Sequence, residues 1–221
     1  MDATARALAQ RHSLDRVLPA ELLAALRLER WEHGERIIRA GDPVRHLRFL
    51  VQGRAKASLP LRNGESHLAA FFRPLEVLGE VELFSFERYG LDVQALTECT
   101  CLALGASAVR ASAERGARLL MYLCGRLGTK LRARVTADAV NLRYPVATRL
   151  AGYLLDATDR RGWALGTDDL GEIASFLGAS YRQLSRVVRR FRAEGILDRA
   201  RGRIRVLDRA RLVPLAVDRL P

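Results

Sequence analysis

The stretch that decides the fold of this chain spans residues 167–193, TDDLGEIASFLGASYRQLSRVVRRFRA. It contains two short amphipathic segments that meet at Gly178, a residue free to adopt the positive φ of a tight turn. Ser180 and Gln183 have the spacing of a capping box, which predicts where the second helix begins. The pattern therefore predicts a helix-turn-helix, whose second helix enters the major groove of DNA.

The second predicted helix has an apolar face for packing and a basic face for a partner. Arginine can bind O6 and N7 of guanine with two hydrogen bonds, and each such pair contributes about 1–3 kcal/mol of discrimination between bases. A basic, solvated surface helix would share this spacing, but the capping box, the apolar register and the basic face together favour DNA. The residues expected on the DNA-facing side are Ser180, Tyr181, Arg182, Ser185, Arg186 and Arg189.

The basic charge of the chain is concentrated near its C-terminal end. The 221 residues carry a formal net charge of +12, and residues 180–211 hold eleven arginines against three acidic residues. A focused basic region suits a polyanionic partner. Gly195 and Gly202 flank a predicted hairpin, or wing, on which Arg201 and Arg203 are expected to contact phosphates.

Composition excludes several other classes of protein. No signal-peptide pattern is evident, and no uncharged run approaches the roughly 20 residues of a membrane span, so we expect a soluble, cytoplasmic protein without a membrane partner. Three cysteines fit a reducing compartment. No nucleophile elbow, metal-ligand pair or phosphate loop is present, so we do not expect an enzyme.

The first 30 residues have a helical apolar pattern with a helix start at Pro19, and a strand-rich region follows from Trp31 to Leu104. Asn63-Gly64 between two alternating segments is a strong hairpin signal. Short strands at this spacing predict a small antiparallel barrel or sandwich. The predicted strands are Arg36–Ile38, Leu47–Val51, Ala55–Leu61, His67–Phe72, Asp92–Leu96 and Thr100–Leu104.

One long helix is predicted over residues 107–142, because apolar residues recur there at steps of three and four. This stripe suits either a dimer seam or packing against the chain's own barrel. We favour the dimer, since DNA readers of this kind usually pair to match palindromic half-sites. The predicted division is therefore 1–106 for the barrel with N-terminal helices, 107–142 for the dimerisation helix and 143–221 for the DNA-binding domain. After a break at Tyr144-Pro145, a further helix is expected over Val146–Thr158.

The order of barrel, long helix and winged helix-turn-helix resembles the cyclic-AMP receptor protein / fumarate-nitrate regulator (CRP/FNR) superfamily. In the barrel the resemblance rests on HGERIIRAGD at 33–42, LVQG at 50–53 and LGE at 78–80. In the DNA-binding region it rests on GASYRQLSR at 178–186 and EGIL at 194–197.

The YPV at 144–146 with RLA at 149–151 resembles the YeiL-like subgroup. The resemblance implies an α+β fold with an N-terminal antiparallel β-roll, jelly-roll-like effector domain. It also implies a bacterial transcription regulator that forms a homodimer through the long helix and binds double-stranded DNA. Activation would add a contact with RNA polymerase, for which no motif is recognisable here.

The resemblance assigns roles within the second helix. Ser180 matches a helix-start serine, Ser185 a serine used by the fumarate-nitrate branch, and Arg186 a base-contacting arginine. Arg182 stands where both reference branches have a glutamate. Replacing an acceptor by a guanidinium with five donors changes the preferred base, so we do not expect the family's usual operators to be the best sites.

The effector site departs from the family pattern. Gly79 and Glu80 match the motif whose carboxylate meets a ribose hydroxyl, but the arginine-serine pair for the cyclic phosphate falls here at Gly90 and Leu91. Arg88 is displaced by two residues, which is several ångströms along a strand or loop. We therefore expect no cyclic nucleotide and interpret Gly79 and Glu80 as a retained structural turn.

An iron–sulfur cluster is not expected either, because the fumarate-nitrate branch places its cysteines near the N-terminus and this chain has none before Cys99. Cys99 and Cys101 should share one face of a strand, and Cys124 falls on the long helix. A four-thiolate cluster would need a fourth cysteine ligand, which the chain lacks. The three cysteines could instead form a thiol redox switch, or they could be buried, inert thiols, and we favour buried, inert thiols. The effector and any cofactor stay open. The rival interpretation, a β-roll module that acts through protein partners, leaves the basic wing unexplained.

Overall fold

The structure of the chain is a computed structural model that describes residues 2–64, 66–85, 87–158, 170–200 and 203–216. It divides into two compact units, Met1–Leu131 and Arg132–Pro221, which we describe separately. In the described ranges, no helix combines the length and the apolar character that a membrane crossing needs.

Two short helices begin the first unit, α1 (Ala3–Arg11) and α2 (Ala20–Ala25), with a 3-10 turn at Leu14–Arg16 between them. Pro19 directly precedes α2, as predicted. The helical prediction for the first 30 residues is wrong at its end, because Arg27–Trp31 forms strand β1. This segment pairs with a strand some seventy residues later, and a local apolar pattern does not show such a partner.

The strands form two four-stranded sheets with the orders β1-β8-β3-β6 and β2-β7-β4-β5, and their pairings are antiparallel. This confirms the predicted antiparallel sandwich. Each of the six predicted strands is present, and β1 and β6 were missed. The strands after β1 are β2 (Arg36–Ile38), β3 (His46–Gln52), β4 (Ala55–Pro60), β5 (Ser66–Phe72), β6 (Glu76–Leu78), β7 (Asp92–Ala95) and β8 (Cys99–Gly105).

Glycine-dependent turns connect the strands. Gly64 has a φ of +84° and its amide donates to the Leu61 carbonyl at 3.0 Å, so the predicted Asn63-Gly64 hairpin is confirmed. Gly53, between β3 and β4, has a φ of +85°. A Cβ atom at position 53 would lie 2.2 Å from the Glu98 carbonyl oxygen, so only glycine fits there.

The core of the first unit lies between the two sheets and under the helices. Leu47, Phe49, Val77, Leu102 and Leu104 have no solvent exposure. Six consecutive residues of β8 are buried, because the strand is central in its sheet and α3 also packs against it.

The long helix predicted over 107–142 is in fact two helices, α3 (Ala106–Arg115) and α4 (Ala117–Arg143). The break is at Gly116, which is extended at φ −170° and ψ 144°. Glycine is among the weakest helix formers, which gives the physical reason for the correction. Along α4, Leu119 and Leu123 are buried, whereas Leu131, Val135 and Leu142 are exposed.

The second unit is a winged helix-turn-helix. After the last part of α4, Pro145 precedes α5, as predicted. Its buried side chains include Leu150, Ile173, Leu184, Phe191 and Ile204. The elements are α5 (Val146–Ala157), α6 (Leu170–Phe176), α7 (Tyr181–Ala193), β9 (Leu197–Ala200), β10 (Arg203–Val206), α8 (Arg209–Leu212) and a 3-10 turn at Val213–Leu215. β9 and β10 pair in antiparallel fashion and confirm the predicted wing.

Candidate nucleic-acid interface

The turn between α6 and α7 is tight and closed by backbone hydrogen bonds. Gly178 takes a φ of +58°, as its sequence position predicts. The amide of Leu177 donates to the Ile173 carbonyl and that of Ala179 to the Ala174 carbonyl, both at 2.9 Å. These bonds close the end of α6 immediately before α7 begins.

The predicted capping box is present at the start of α7. The Gln183 amide donates to Ser180 Oγ at 3.2 Å, and the Ser180 amide donates to Gln183 Oε1 at 2.9 Å. Two amides that a helix start leaves unpaired are thereby satisfied. The Ser180 hydroxyl, expected on the DNA-facing side, is thus already engaged in the cap.

α7 presents one packed face and one exposed basic face. Leu184, Val188 and Phe191 are buried. Tyr181 is 58 % exposed and stands at the first turn. Arg182, Arg186 and Arg189 are also exposed.

These three arginines differ from the arginines at the end of the same helix. Arg190 lies 3.6 Å from Glu194, and Arg192 lies 3.6 Å from Asp198. Among the described residues, no carboxylate forms an ion pair with Arg182, Arg186 or Arg189. Their guanidinium groups are therefore available to an incoming anion or base edge.

Ser185 is placed differently from the sequence expectation of an outward hydroxyl. The residue is half-buried, and its Oγ is shielded from solvent with no hydrogen-bond partner among the described residues. Its spacing of three residues from the buried Val188 explains this position at the edge of the packed face.

The wing adds basic side chains next to α7. Arg203 and Arg205 are exposed and alternate with the buried Ile204 and Val206, as the period of a strand requires. The expected phosphate contact of Arg201 lies outside the described residues.

The turn at Gly79 is required by the packing of the first unit. Gly79 has a φ of +90°, and a Cβ atom there would lie 3.0 Å from the His46 carbonyl oxygen and 3.1 Å from the Tyr89 ring. The Tyr89 hydroxyl donates to the same His46 carbonyl at 2.7 Å. A structural need is thus sufficient to account for this glycine.

Glu80 is buried and bound to a lysine of α4. Lys130 Nζ donates to Glu80 Oε1 at 2.5 Å and to the Val77 carbonyl at 2.6 Å. The same ammonium lies 4.9 Å from the centre of the Phe72 ring, a cation–π geometry. Burial raises the pKa of Glu80, and the charge and hydrogen bond of Lys130 oppose that rise. Sequence reasoning missed Lys130, although a buried carboxylate needs such a partner.

The carboxylate of Glu82 lies beside Gly90, the position at which the family pattern has an arginine. The amide of Gly90 donates to Glu82 Oε1 at 3.0 Å. Arg88 donates instead to the Gly41 carbonyl at 2.7 Å. The Gly90 amide and the Arg88 guanidinium are therefore both bound to other groups of the protein.

The cysteines are placed in two environments. Cys99 and Cys101 are buried, and burial raises the pKa of both thiols, which fits inert thiols. Cys124 is on α4 as predicted but is exposed, so the expectation of burial is wrong for it. Within the described ranges, no three His, Cys, Asp or Glu side chains cluster as metal ligands would.

Comparisons with known proteins agree with this architecture. A family described as "Cyclic nucleotide-binding domain" matches residues 28–115, and one described as "Crp-like helix-turn-helix domain" matches residues 148–215. The chain is 30 % identical to the regulatory protein YeiL of Escherichia coli O157:H7 over 185 residues, which cover 84 % of this chain and 83 % of that protein.

Solved structures have the same fold at lower identity. FixK2 from Bradyrhizobium japonicum superposes with a TM-score of 0.70 at 20 % identity, covering 88 % of this chain and 99 % of that one. TTHA1359, a CRP/FNR-family transcriptional regulator from Thermus thermophilus, has a TM-score of 0.71 at 21 % identity and covers 86 % of this chain and 97 % of its own. The family models and the relative YeiL indicate a regulator rather than an enzyme, as the sequence predicts. This homology shows the family, and the capped helix α7, the basic wing and the β-roll agree with it. The chain therefore belongs to the CRP/FNR family of DNA-binding transcription regulators.

Proposed function

We propose that this protein is a homodimer that reads a palindromic DNA sequence in the cytoplasm, without cyclic nucleotide as its effector. The observation that carries the proposal is the exposed face of α7, with three arginines outside any described ion pair on a helix fixed by its capping box. Two copies of α7 would enter successive major grooves about 34 Å apart.

Individual contacts follow from the positions on α7. Arg182 and Arg186 lie in its first two turns, where recognition helices meet base edges, so they would read bases together with Ser185 once its side chain turns outward. The exposed ring of Tyr181 suits an apolar contact with a thymine methyl group. Ser180, Arg189 and the wing residues Arg201 and Arg203 would hold phosphates and set the salt dependence.

Pairing through α4 is supported by its exposed apolar side chains. Leu131 is 66 % exposed, Val135 60 % and Leu142 87 %. Their spacings of four and seven residues place them on one side of the helix. Exposed apolar side chains on one face mark a docking surface, and a second copy of α4 is the occupant that a palindromic site requires.

The effector would differ from a cyclic nucleotide, because the motif residues are already committed within the protein. The Glu80 carboxylate is bound to Lys130, and the Gly90 amide is bound to Glu82. A ribose would have to displace the lysine, and a cyclic phosphate would meet a carboxylate.

The test is a selection of bound sequences from random DNA with the purified apo protein, and with a double variant, Arg182→Ala/Arg186→Ala, as the control. We expect a palindrome with half-sites about one helical turn apart for the wild type and no motif for the control. Salt-sensitive retention without a motif for the wild type would contradict the proposal. Addition of cyclic AMP should leave the recovered motif and its enrichment unchanged.

A further inference from the structure

Two side chains from outside the helix-turn-helix hold the turn from which α7 begins. Asn141 Nδ2 donates to the Phe176 carbonyl at 3.3 Å. Arg149 Nη1 donates to the carbonyl of Leu177 and, at 3.2 Å, to that of Gly178. Three consecutive carbonyls, 176 to 178, are therefore bound by Asn141 and Arg149, which we call the turn clamp.

The end of α6 needs such partners. The last carbonyls of a helix have no partner within it, and a cation there also interacts favourably with the helix dipole. α6 has seven residues, too few to be stable by itself. The turn clamp thus supplies bonds that the short helix cannot make.

Gly178 lies directly beside both residues of the turn clamp. A Cβ atom at position 178 would lie 3.4 Å from Arg149 Nη1 and 3.5 Å from Asn141 Cβ. These are ordinary van der Waals distances, so it is the positive φ of the turn, +58°, that requires the glycine.

The clamp residues come from the two sides of a helix junction. Asn141 lies in the last turn of α4, which ends at Arg143, and Arg149 lies in the first turn of α5, which begins at Val146. Pro145 between them ends the first helix and starts the second. The turn before α7 is thus bonded directly to the end of α4, the helix that we propose as the dimer seam.

We propose that Asn141 and Arg149 are positioning residues that set the distance between the two recognition helices of the dimer. They fix the turn before α7 to the last turn of α4, so the direction of α7 follows the direction of the dimer helix. Asn141 and Arg149 therefore determine which spacing between two half-sites the protein accepts. This inference rests on the proposed dimeric reading of DNA.

The experiment measures binding to a library in which two copies of the selected half-site are separated by spacers of different length. The proteins are the wild type, Asn141→Ala and Arg149→Lys, with Arg143→Ala as the matched control on the same turn of α4. Asn141→Ala retains the helix, because alanine is the best helix former, so the variant is expected to fold. Arg149→Lys keeps the charge but loses the planar fork that spans two carbonyls.

We expect the wild type and Arg143→Ala to prefer one spacing sharply. In Asn141→Ala and Arg149→Lys, the preference for that spacing over spacings two base pairs away should fall by about tenfold, the effect of losing a hydrogen bond in each protomer. The preferred half-site sequence should stay the same, because the base-reading side chains are unchanged.

A merely structural role would give a different result. If both variants bind more weakly by the same factor at every spacing, with the sharp optimum retained, the positioning role is overturned while the proposed function stands. If the wild type recovers no paired half-sites, the proposed function fails and this inference fails with it.

Discussion

The Glu80 carboxylate lies 2.5 Å from the Lys130 ammonium, and only 1 % of the Glu80 side chain is exposed. Lys130 is on α4, whereas Glu80 follows strand β6 of the β-roll. Arg126, one turn earlier on α4, similarly binds Glu76 at 2.8 Å and the Leu75 carbonyl at 2.7 Å. The segment around the family's effector motif is therefore tied to α4 by side chains of the protein itself.

Removal of the Lys130 charge should destabilise the protein and make its stability more dependent on pH. Breaking one side of a buried pair costs about 3–5 kcal/mol, so Lys130→Met should unfold at lower denaturant concentration at pH 8. Burial already raises the pKa of Glu80, and Lys130 limits this rise. In the variant that lacks the lysine, the pKa of Glu80 should therefore rise further. Denaturant unfolding of the variant and the wild type across the pH range measures both effects.

The sign of the pH effect follows from this raised pKa. When the pKa of a carboxyl group is higher in the folded state than in the unfolded state, the group stabilises the fold at pH values below its unfolded-state pKa. This stability is lost as the pH rises through the folded-state pKa. The deficit of Lys130→Met should therefore be larger at pH 8 than at pH 5. The double variant Glu80→Gln/Lys130→Met should recover most of the loss. An equal deficit at both pH values would mean that the lysine acts only by packing.

Arg186→Ala should remove most of the sequence preference and spare general DNA binding. Loss of a bidentate base contact should reduce the discrimination between the selected and random duplexes by about 1–3 kcal/mol per half-site. Titration of both duplexes at several salt concentrations measures the change. The matched control is Arg190→Ala, because Arg190 lies on the same helix as Arg186 but is paired with Glu194. An equal loss of affinity for both duplexes would instead mean that Arg186 contacts a phosphate and not a base.

Val135→Glu should convert the dimer into a monomer. Val135 is 60 % exposed, and a carboxylate on a symmetric helix seam would face its own copy. Light scattering coupled to gel filtration would report the mass. Ala133→Glu, at an exposed position two residues away on another side of α4, should stay dimeric. A dimeric Val135→Glu protein would mean that the seam lies elsewhere.

Gly53→Ala should cost much more stability than Gly64→Ala. The two glycines have φ values of +85° and +84°, so alanine carries the same backbone strain, about 1–2 kcal/mol, at either position. A Cβ atom at 53 would meet the Glu98 carbonyl oxygen at 2.2 Å, whereas a Cβ atom at 64 has nothing within 4 Å. Denaturant unfolding should show a further loss of about 1–3 kcal/mol for Gly53→Ala. If both variants lost a similar amount of stability, the start of strand β8 would have to move away from the new methyl group without an energetic cost.

The candidate DNA-binding surface was largely predictable, because its signals are local. The capping box joins residues three apart, the turn needs one glycine, and the faces of α7 follow from the helical period. Ser185 is the exception. Its hydroxyl is shielded at the edge of the packed face, a boundary that the sequence pattern does not define sharply.

The contacts that tie the chain together were not predictable. Lys130 and Glu80 are fifty residues apart, and Asn141 and Phe176 are thirty-five apart. The local pattern predicts a helix up to residue 30, whereas pairing with β8 makes Arg27–Trp31 an extended strand. The break at Gly116 was missed because the apolar period continues on both sides of it.

The sequence by itself determined the order of β-roll, helix and winged helix-turn-helix, and it determined which helix carries the basic face. These features depend on the periodicity of apolar residues, on turn glycines and on caps, each of which acts within a few residues. The tertiary structure alone decided that Lys130 neutralises Glu80 and that Asn141 and Arg149 bind the carbonyls before α7. Such pairs form only when folding brings distant segments together, because the need to satisfy a buried charge or a helix end specifies the type of partner and not its position in the chain.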